Sequence, residues 1–229
     1  MYSNQTQKQN RSFSRRIGKT LSNIQKELLQ SHLPTFLINK ESISCIHEQD
    51  KEIFLEIGFG MGEHFIHQAK NKKEALFIGV EVYLNGVANV LKLATNDDIT
   101  NILLWPDDLD MILEDFPNKS LSGIYILFPD PWPKRNQNKK RIFNQYRLEI
   151  LQHKLKTNGF LMFASDIDDY FVVAKNLIKN NGHFKIIEDH HNLELEELDQ
   201  LNNYLPTKYH NKAEENGRIA QFLTSRLIA

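Results

Sequence analysis

From residue 52 onward the chain alternates short apolar runs with stretches whose apolar residues recur every three to four positions. The runs at 53–57, 76–82, 102–105, 124–128 and 160–164 have strand length, and most stop at a glycine, a proline or an acid. Between them the pattern predicts a helix through about residue 70 and another with Leu84, Val87, Ala88 and Leu91 on one face. A short helix over 108–115 and a long one over 142–155 follow, the latter stopped by Asn158-Gly159. A further helix starts at Asp166 and turns Phe171, Ala174, Leu177 and Ile178 inward. Strands at 184–187 and 219–227 close the chain, separated by a polar, acidic insertion over 188–216. Repeated strand–helix alternation predicts a largely parallel sheet covered on both faces, a doubly wound α/β fold. No internal repeat of fixed period is present.

The first fifty residues follow another pattern. Residues 1–20 are rich in Asn, Gln and Ser and carry Arg11, Arg15, Arg16 and Lys19 with no acid among them. They predict a basic arm leading into a helix near 20–30, then a connector over 31–49 that contains Pro34. The expected organisation is an arm and helix over 1–40, partly flexible, and one domain over 41–229.

Composition narrows the choice. Of 229 residues, 41% are hydrophobic and 25% charged, ordinary for a globular chain with a sizeable core. A net charge of −1 excludes an overall basic field, so a nucleic-acid partner must be held by local patches. The single cysteine, Cys45, excludes an internal disulfide framework and a cysteine-cluster zinc site. His64 and His67 share a helical face and His190-His191 are adjacent, but no third ligand has metal-site spacing, so no metal is expected. No apolar run approaches membrane-spanning length and residues 1–12 lack a signal-like core, so the cytoplasm is the expected compartment.

Ligands of such sheets bind beyond the C-terminal strand ends. There the predicted strands deliver Glu56 with Gly58-Phe59-Gly60-Met61-Gly62, then Glu81, Asp107, Asp130 and Asp166. The glycine turn lets a ligand approach the backbone closely, though its third glycine is spaced differently from the dinucleotide fingerprint. Glu81, 21 positions after Gly60, is placed to bind paired ribose hydroxyls. No lysine-serine phosphate clamp is present, so a nucleoside fits better than a nucleotide. Asp107 is placed for an adenine amino group, with Asp108 as the competing choice or an N-cap. Together these residues suggest an adenosyl ligand, with S-adenosylmethionine the leading candidate.

The most distinctive stretch follows the fourth strand: Phe128-Pro129-Asp130-Pro131-Trp132-Pro133-Lys134-Arg135. Three prolines stiffen it into a presenting loop. Five cations (Lys134, Arg135, Lys139, Lys140 and Arg141) fall within residues 134–141. Acid, flat ring and basic tail suit a site that grips a nucleobase while its phosphates are held nearby.

These motifs carry a specific resemblance. Leu55-Glu56-Ile57-Gly58-Phe59-Gly60-Met61-Gly62, Gly79-Val80-Glu81-Val82, the 128–134 block, Lys139-Lys140-Arg141, Ser165-Asp166 and Thr207-Lys208-Tyr209 together resemble the bacterial tRNA (guanine-N7)-methyltransferase family. Arg15-Arg16-Ile17-Gly18 is similar to that family's basic N-terminal segment. The resemblance implies a Rossmann-like class I methyltransferase, with a seven-stranded, mostly parallel sheet and an antiparallel last strand. It implies S-adenosylmethionine as donor and a variable-loop guanosine of tRNA as acceptor. By position, Glu56, Gly58, Gly60, Glu81, Asp107 and Asp130 would bind the cofactor, Asp130 being also the catalytic residue. Lys134, Asp166, Thr207, Lys208, Tyr209 and His210 would bind substrate. Arg15, Arg16, Arg135, Lys139, Lys140 and Arg141 would contact RNA. This chain departs from the family in carrying His210 where glutamate is usual and Ser165 where threonine is. No membrane and no obligate protein partner are implied, and the expected state is a monomer or homodimer. The alternatives are a small-molecule methyltransferase with the same cofactor half and a non-catalytic RNA-binding module.

Overall fold

The first strand, β1 (Ile53–Ile57), is buried on both faces, which is why it reads as an unbroken apolar run. The same holds for β2 (Leu76–Val80), and both belong to a seven-stranded sheet in a computed structural model that describes residues 16, 18–46, 50–191 and 203–228. Arg15, Ile17 and the acidic run at 194–199 lie outside the described residues. The remaining strands are β3 (Ile102–Trp105), β4 (Leu121–Leu127), β5 (Leu155–Ser165), β6 (Phe184–His191) and β7 (Gln221–Leu227). Their order is β3-β2-β1-β4-β5-β7-β6. β7 runs antiparallel to both neighbours, and the other six strands are parallel to one another.

Side chains alternate across the sheet and build two cores. Ile53, Leu55 and Ile57 of β1 face one side, with Leu148 and Leu151 of α6 (Gln145–Lys154) and Phe171 and Ala174 of α7 (Asp168–Asn181). Phe54 faces the other, with Phe65 of α4 (Glu63–Asn71) and Val87 and Leu91 of α5 (Leu84–Asn96). Glu56, two positions after Phe54, therefore points beneath α4. Helix α7 starts on Asp168 and Asp169, acids that suit the positive end of its dipole, and ends on Gly182 in the left-handed region.

Where the pattern was short, the structure adds elements. The 31–49 connector contains α2 (Leu33–Phe36), which has Pro34 in its first turn, and α3 (Lys40–Ser44), closed by an Asn39/Ser42 capping box. Leu37 bridges to Leu104, and Ile38 N–H donates to Leu104 O at 3.1 Å, so this segment covers the β3 edge of the sheet. Its helices are too short to show a period. The preceding helix, α1 (Asn23–Ser31), opens with a Ser22/Gln25 capping box and packs on α5.

Asn158-Gly159 does not stop the long helix. α6 ends at Lys154 and passes directly into β5, where the register shifts after Leu155 and Asn158 adopts φ 67°. Three acceptors fix that junction: Lys154 Nζ donates to Glu114 O, Phe116 O and Asn118 Oδ1 at 2.9, 2.6 and 3.2 Å. The 108–115 helix is only a 3-10 turn, Leu109–Met111. β6 runs on to His191, and the insertion after it ends in α8 (Lys208–Glu215).

Candidate active site

A cavity of about 320 Å³ opens where β1, β2, β3 and β4 end. Gly58 and Gly60, Glu81, Asp107, and Pro129, Asp130 and Trp132 line it from four successive strand ends, and Tyr209 of α8 reaches it from the other side. Gly58, Gly60 and Gly62 have φ of 76°, 57° and 82°, which wraps the turn around the cavity floor. A Cβ on Gly58 would meet no atom within 4 Å, so the bare backbone leaves room for a ligand there.

Glu81 is buried and organised. Its Oε2 accepts from Gly60 N–H at 2.8 Å and its Oε1 from Tyr83 N–H at 2.9 Å. Each oxygen keeps a lone pair, an arrangement suited to two adjacent hydroxyl donors. Burial pushes the carboxyl up to about 7, partly offset by the backbone N–H groups of Tyr83, Gly60 and Val82, while the charge of Asp130 adds to the rise. Glu81 and Asp130 line the same cavity.

The two candidate adenine acids are placed differently. Asp107 lines the cavity, whereas Asp108 is buried and caps the 3-10 turn, its Oδ1 accepting from Asp110 N–H at 3.0 Å. Arg16 is tied to one of them: its Nη1 donates to Asp107 Oδ1 at 2.9 Å. Its carbonyl accepts from Leu84 N–H, and Gly18 N–H donates to Asn85 Oδ1, so the end of the arm lies against the start of α5.

Glu56 is not at the cavity wall. Its Oε2 accepts from His64 Nδ1 at 2.8 Å with both side chains buried, and Gln68 Nε2 lies 3.0 Å from His64 Nε2. Glu56 thus ties β1 to α4 on either side of the glycine turn.

After β4, Asp130 sits between two non-glycine residues in the left-handed region, Phe128 at φ 47° and Trp132 at φ 42°. Lys140 Nζ lies 4.5 Å from the centre of the Trp132 ring, at the cavity. Lys134, Arg135 and Lys139 are exposed on or beside the 3-10 helix Arg135–Lys140. Arg141 differs: it is 2% exposed and faces the protein interior.

Of the remaining candidates, Tyr209 lines the cavity, whereas Asp166, Thr207, Lys208 and His210 do not. Asp166 Oδ2 accepts from Arg218 Nε at 2.5 Å. Thr207 caps α8 through its Oγ1, and Lys208 is exposed beside it. Burial, then the charge of Asp130, push the Tyr209 phenol up. His210 is turned inward at 1% exposure, its ring nitrogens 3.1 Å from Tyr204 Oη and 3.1 Å from Glu214 Oε1. Among the described residues no group of histidine, cysteine, aspartate and glutamate is arranged to hold a metal.

The apolar spacing placed α5 but gave no role to Asn85, Gly86 or Asn89. Gly86 packs against the glycine turn, Asn89 Nδ2 donates to Met61 O at 2.7 Å, and Asn85 Nδ2 donates to Lys19 O at 3.1 Å. A glycine and two asparagines in the first half of a helix, all poor helix formers, were the available signal.

The strand order with β7 between β5 and β6, and a glycine turn at the first strand end, define a class I methyltransferase fold. The crystal structure of the 16S rRNA methyltransferase KamB shares it, with a TM-score of 0.60 at 12% identity over 84% of this chain and 95% of that one. A family model described as "Putative methyltransferase" matches residues 50–223. The tRNA (guanine-N(7)-)-methyltransferase of Rhizobium etli is 38% identical over 94% of this chain and 95% of its own. The chain belongs to the tRNA (guanine-N(7)-)-methyltransferase family. It is also 58% identical, over 93% of its length, to the bifunctional methyltransferase of Rickettsia felis, of which it spans 39%.

Proposed function

We propose that this protein transfers a methyl group from S-adenosylmethionine to N7 of a variable-loop guanosine in tRNA. The observation that carries the reading is the meeting of Glu81, Asp107 and Asp130 around one cavity beside Trp132. The open backbone at Gly58 and the paired oxygens of Glu81 fit the cofactor. Glu81 would take the ribose hydroxyls and Asp107 the adenine amino group. When bound, S-adenosylmethionine supplies an electrophilic methyl group on a sulfonium. Glu56 would contribute through His64, by holding the glycine turn.

Guanine N7 has an in-plane lone pair and carries no proton, so attack needs no general base. The protein's task is alignment and exclusion of water. Asp130 accepts from the guanine N1–H and amino group, or stabilises the positive charge that methylation places on the base. Trp132 offers a face to a base that has left its stack. Lys134, Arg135, Lys139 and Lys208 are exposed and suit phosphate, while Thr207 and His210 serve substrate binding by anchoring the helix that carries Lys208 and Tyr209. Asp166, held by Arg218 just after β5, would add a substrate contact.

Leu28, Leu29, Leu33 and Phe36 pack against the core, so that part of the proposed 1–40 arm and helix is packed with the 41–229 methyltransferase domain. No helix among the described residues is long and apolar enough to cross a membrane. A cytoplasmic monomer or homodimer is part of the same reading.

Two measurements test the binding half. Ribose hydroxyls donate, so they favour ionised Glu81, and cofactor affinity is expected to rise about tenfold per pH unit up to about 7 and level above it. Stability of the ligand-free protein is expected to have the opposite slope. Its folded carboxyl keeps a proton up to about 7 and the unfolded one only to 4.5, so this group's contribution to stability falls across that window and is flat above. Calorimetric titration across the same window decides, and a pH-independent affinity contradicts the role of Glu81. For tRNA, affinity should fall steeply with salt, and Lys139→Ala should reduce the log–log slope by about one. An unchanged slope removes Lys139 from the RNA face.

A further inference from the structure

We propose that Arg141 is a positioning residue of the acceptor loop, holding Asp130 and Trp132 in place from beneath, and that it does not contact RNA. In sequence it is the last of a run of cations, and such runs are ordinarily solvated. In the structure its side chain is 2% exposed and its polar contacts are directed at the loop and at α7. Nε donates to Pro131 O at 2.9 Å, Nη2 donates to Asp169 Oδ2 at 2.5 Å, and the guanidinium lies 4.5 Å over the Tyr170 ring. Tyr170 is itself fully buried, and its hydroxyl accepts from Phe143 N–H at 3.0 Å. The guanidinium therefore rests on a rigid base.

The bond to Pro131 O falls where the loop most needs support. Asp130 precedes Pro131, whose ring fixes φ and removes a backbone donor. Trp132 follows it at φ 42°, and Phe128 lies upstream at φ 47°. Such conformations are strained and persist only where the surroundings over-determine them. Asn138 adds a second hold: with its amide nitrogen turned to the acceptors, it donates to Trp132 O at 3.2 Å and Lys134 O at 3.3 Å. Arg141 Nη1 has no hydrogen-bond partner among the described residues. An apolar residue of similar volume would avoid that unmet donor, so stability alone does not explain an arginine here.

The kinetic arm of the test rests on the proposed methyl transfer, and the spectroscopic arm does not. Arg141→Lys keeps the charge but cannot serve Pro131 O and Asp169 from one planar fork. Its kcat should fall about 10²-fold, as for an ångström-scale misplacement of a reacting group. KM for tRNA, its salt slope and the cofactor Kd should stay within about twofold, whereas an RNA contact would change KM and slope as Lys139→Ala does. In a Trp105→Phe background, acrylamide quenching reports Trp132 alone and should increase on adding Arg141→Lys, with far-UV circular dichroism unchanged. Asp169 is 66% exposed, so Asp169→Asn tests the same clamp without a buried substitution; quenching should rise and kcat should fall severalfold. Unchanged quenching in both variants overturns the proposal, as does a raised tRNA KM at unchanged kcat. Were the unsubstituted protein to methylate no tRNA, the functional reading would fail, while the quenching comparison would still decide Arg141.

Discussion

Asp130→Ala is expected to lower kcat for tRNA methylation by about 10²–10³-fold while the protein stays folded and binds S-adenosylmethionine with little change. The size follows from what Asp130 does. No proton leaves N7, so losing the carboxylate does not remove a general base; it removes the group that orients guanine and offsets the charge developing on it. Groups aimed at developing charge in a site closed to water are worth about 10²–10³ in rate each. Asp130 is an exposed residue on a loop that other residues hold, so the substitution should leave thermal unfolding nearly unchanged. Its charge also raises the Glu81 carboxyl, so the variant should bind cofactor at slightly lower pH than the parent does. Near-parental kcat in Asp130→Ala would place the acceptor chemistry elsewhere.

Gly86→Ala is the second large effect, and here two contributions of opposite sign compete. Alanine is favoured over glycine inside a helix by about 1 kcal/mol. The added Cβ, however, would lie 1.8 Å from Gly60 O and 2.9 Å from Gly60 C. Both are backbone atoms of the glycine turn, so no side chain can swing aside. Overpacking costs about 1–3 kcal/mol, which outweighs the helix gain. The turn must also shift by more than an ångström, which carries Gly60 N–H away from Glu81. Expected results are a lower Tm and a kcat/KM reduced about 10²-fold, mostly through weaker cofactor binding. A Tm above the parent's would show that α5 moves freely and that the turn is not seated on Gly86.

Much of this architecture could be read from apolar spacing. Ile53, Leu55 and Ile57 on one face and Phe54 on the other make β1 an unbroken run, and a run of that kind means a strand covered twice. The acids at strand ends were legible for the same reason: once the strands are placed, Glu81, Asp107 and Asp130 fall at one edge and line one cavity. The elements at 33–36 and 40–44 were not legible, because a helix of one turn has no period and is made by its cap and by contact with β3.

Direction was harder to read than position. Lys139, Lys140 and Arg141 are consecutive, yet the first is exposed, the second lies over Trp132 and the third is buried under the loop. A charge run in sequence says nothing about that division, since a 3-10 turn sends neighbouring residues about 120° apart. Glu56 shows the same limit: placed at a strand end it looks like a ligand-binding acid, but the alternation that buries Phe54 also sends it inward to His64.

The identity of the methylated atom is open to direct measurement. Unmodified tRNA would be incubated with the purified protein and S-adenosylmethionine labelled in its methyl group, then digested to nucleosides and separated. The label is expected in 7-methylguanosine, derived from the variable loop, with near-complete loss in Asp130→Ala. Label in any other nucleoside, or in none, contradicts the proposed methyl transfer.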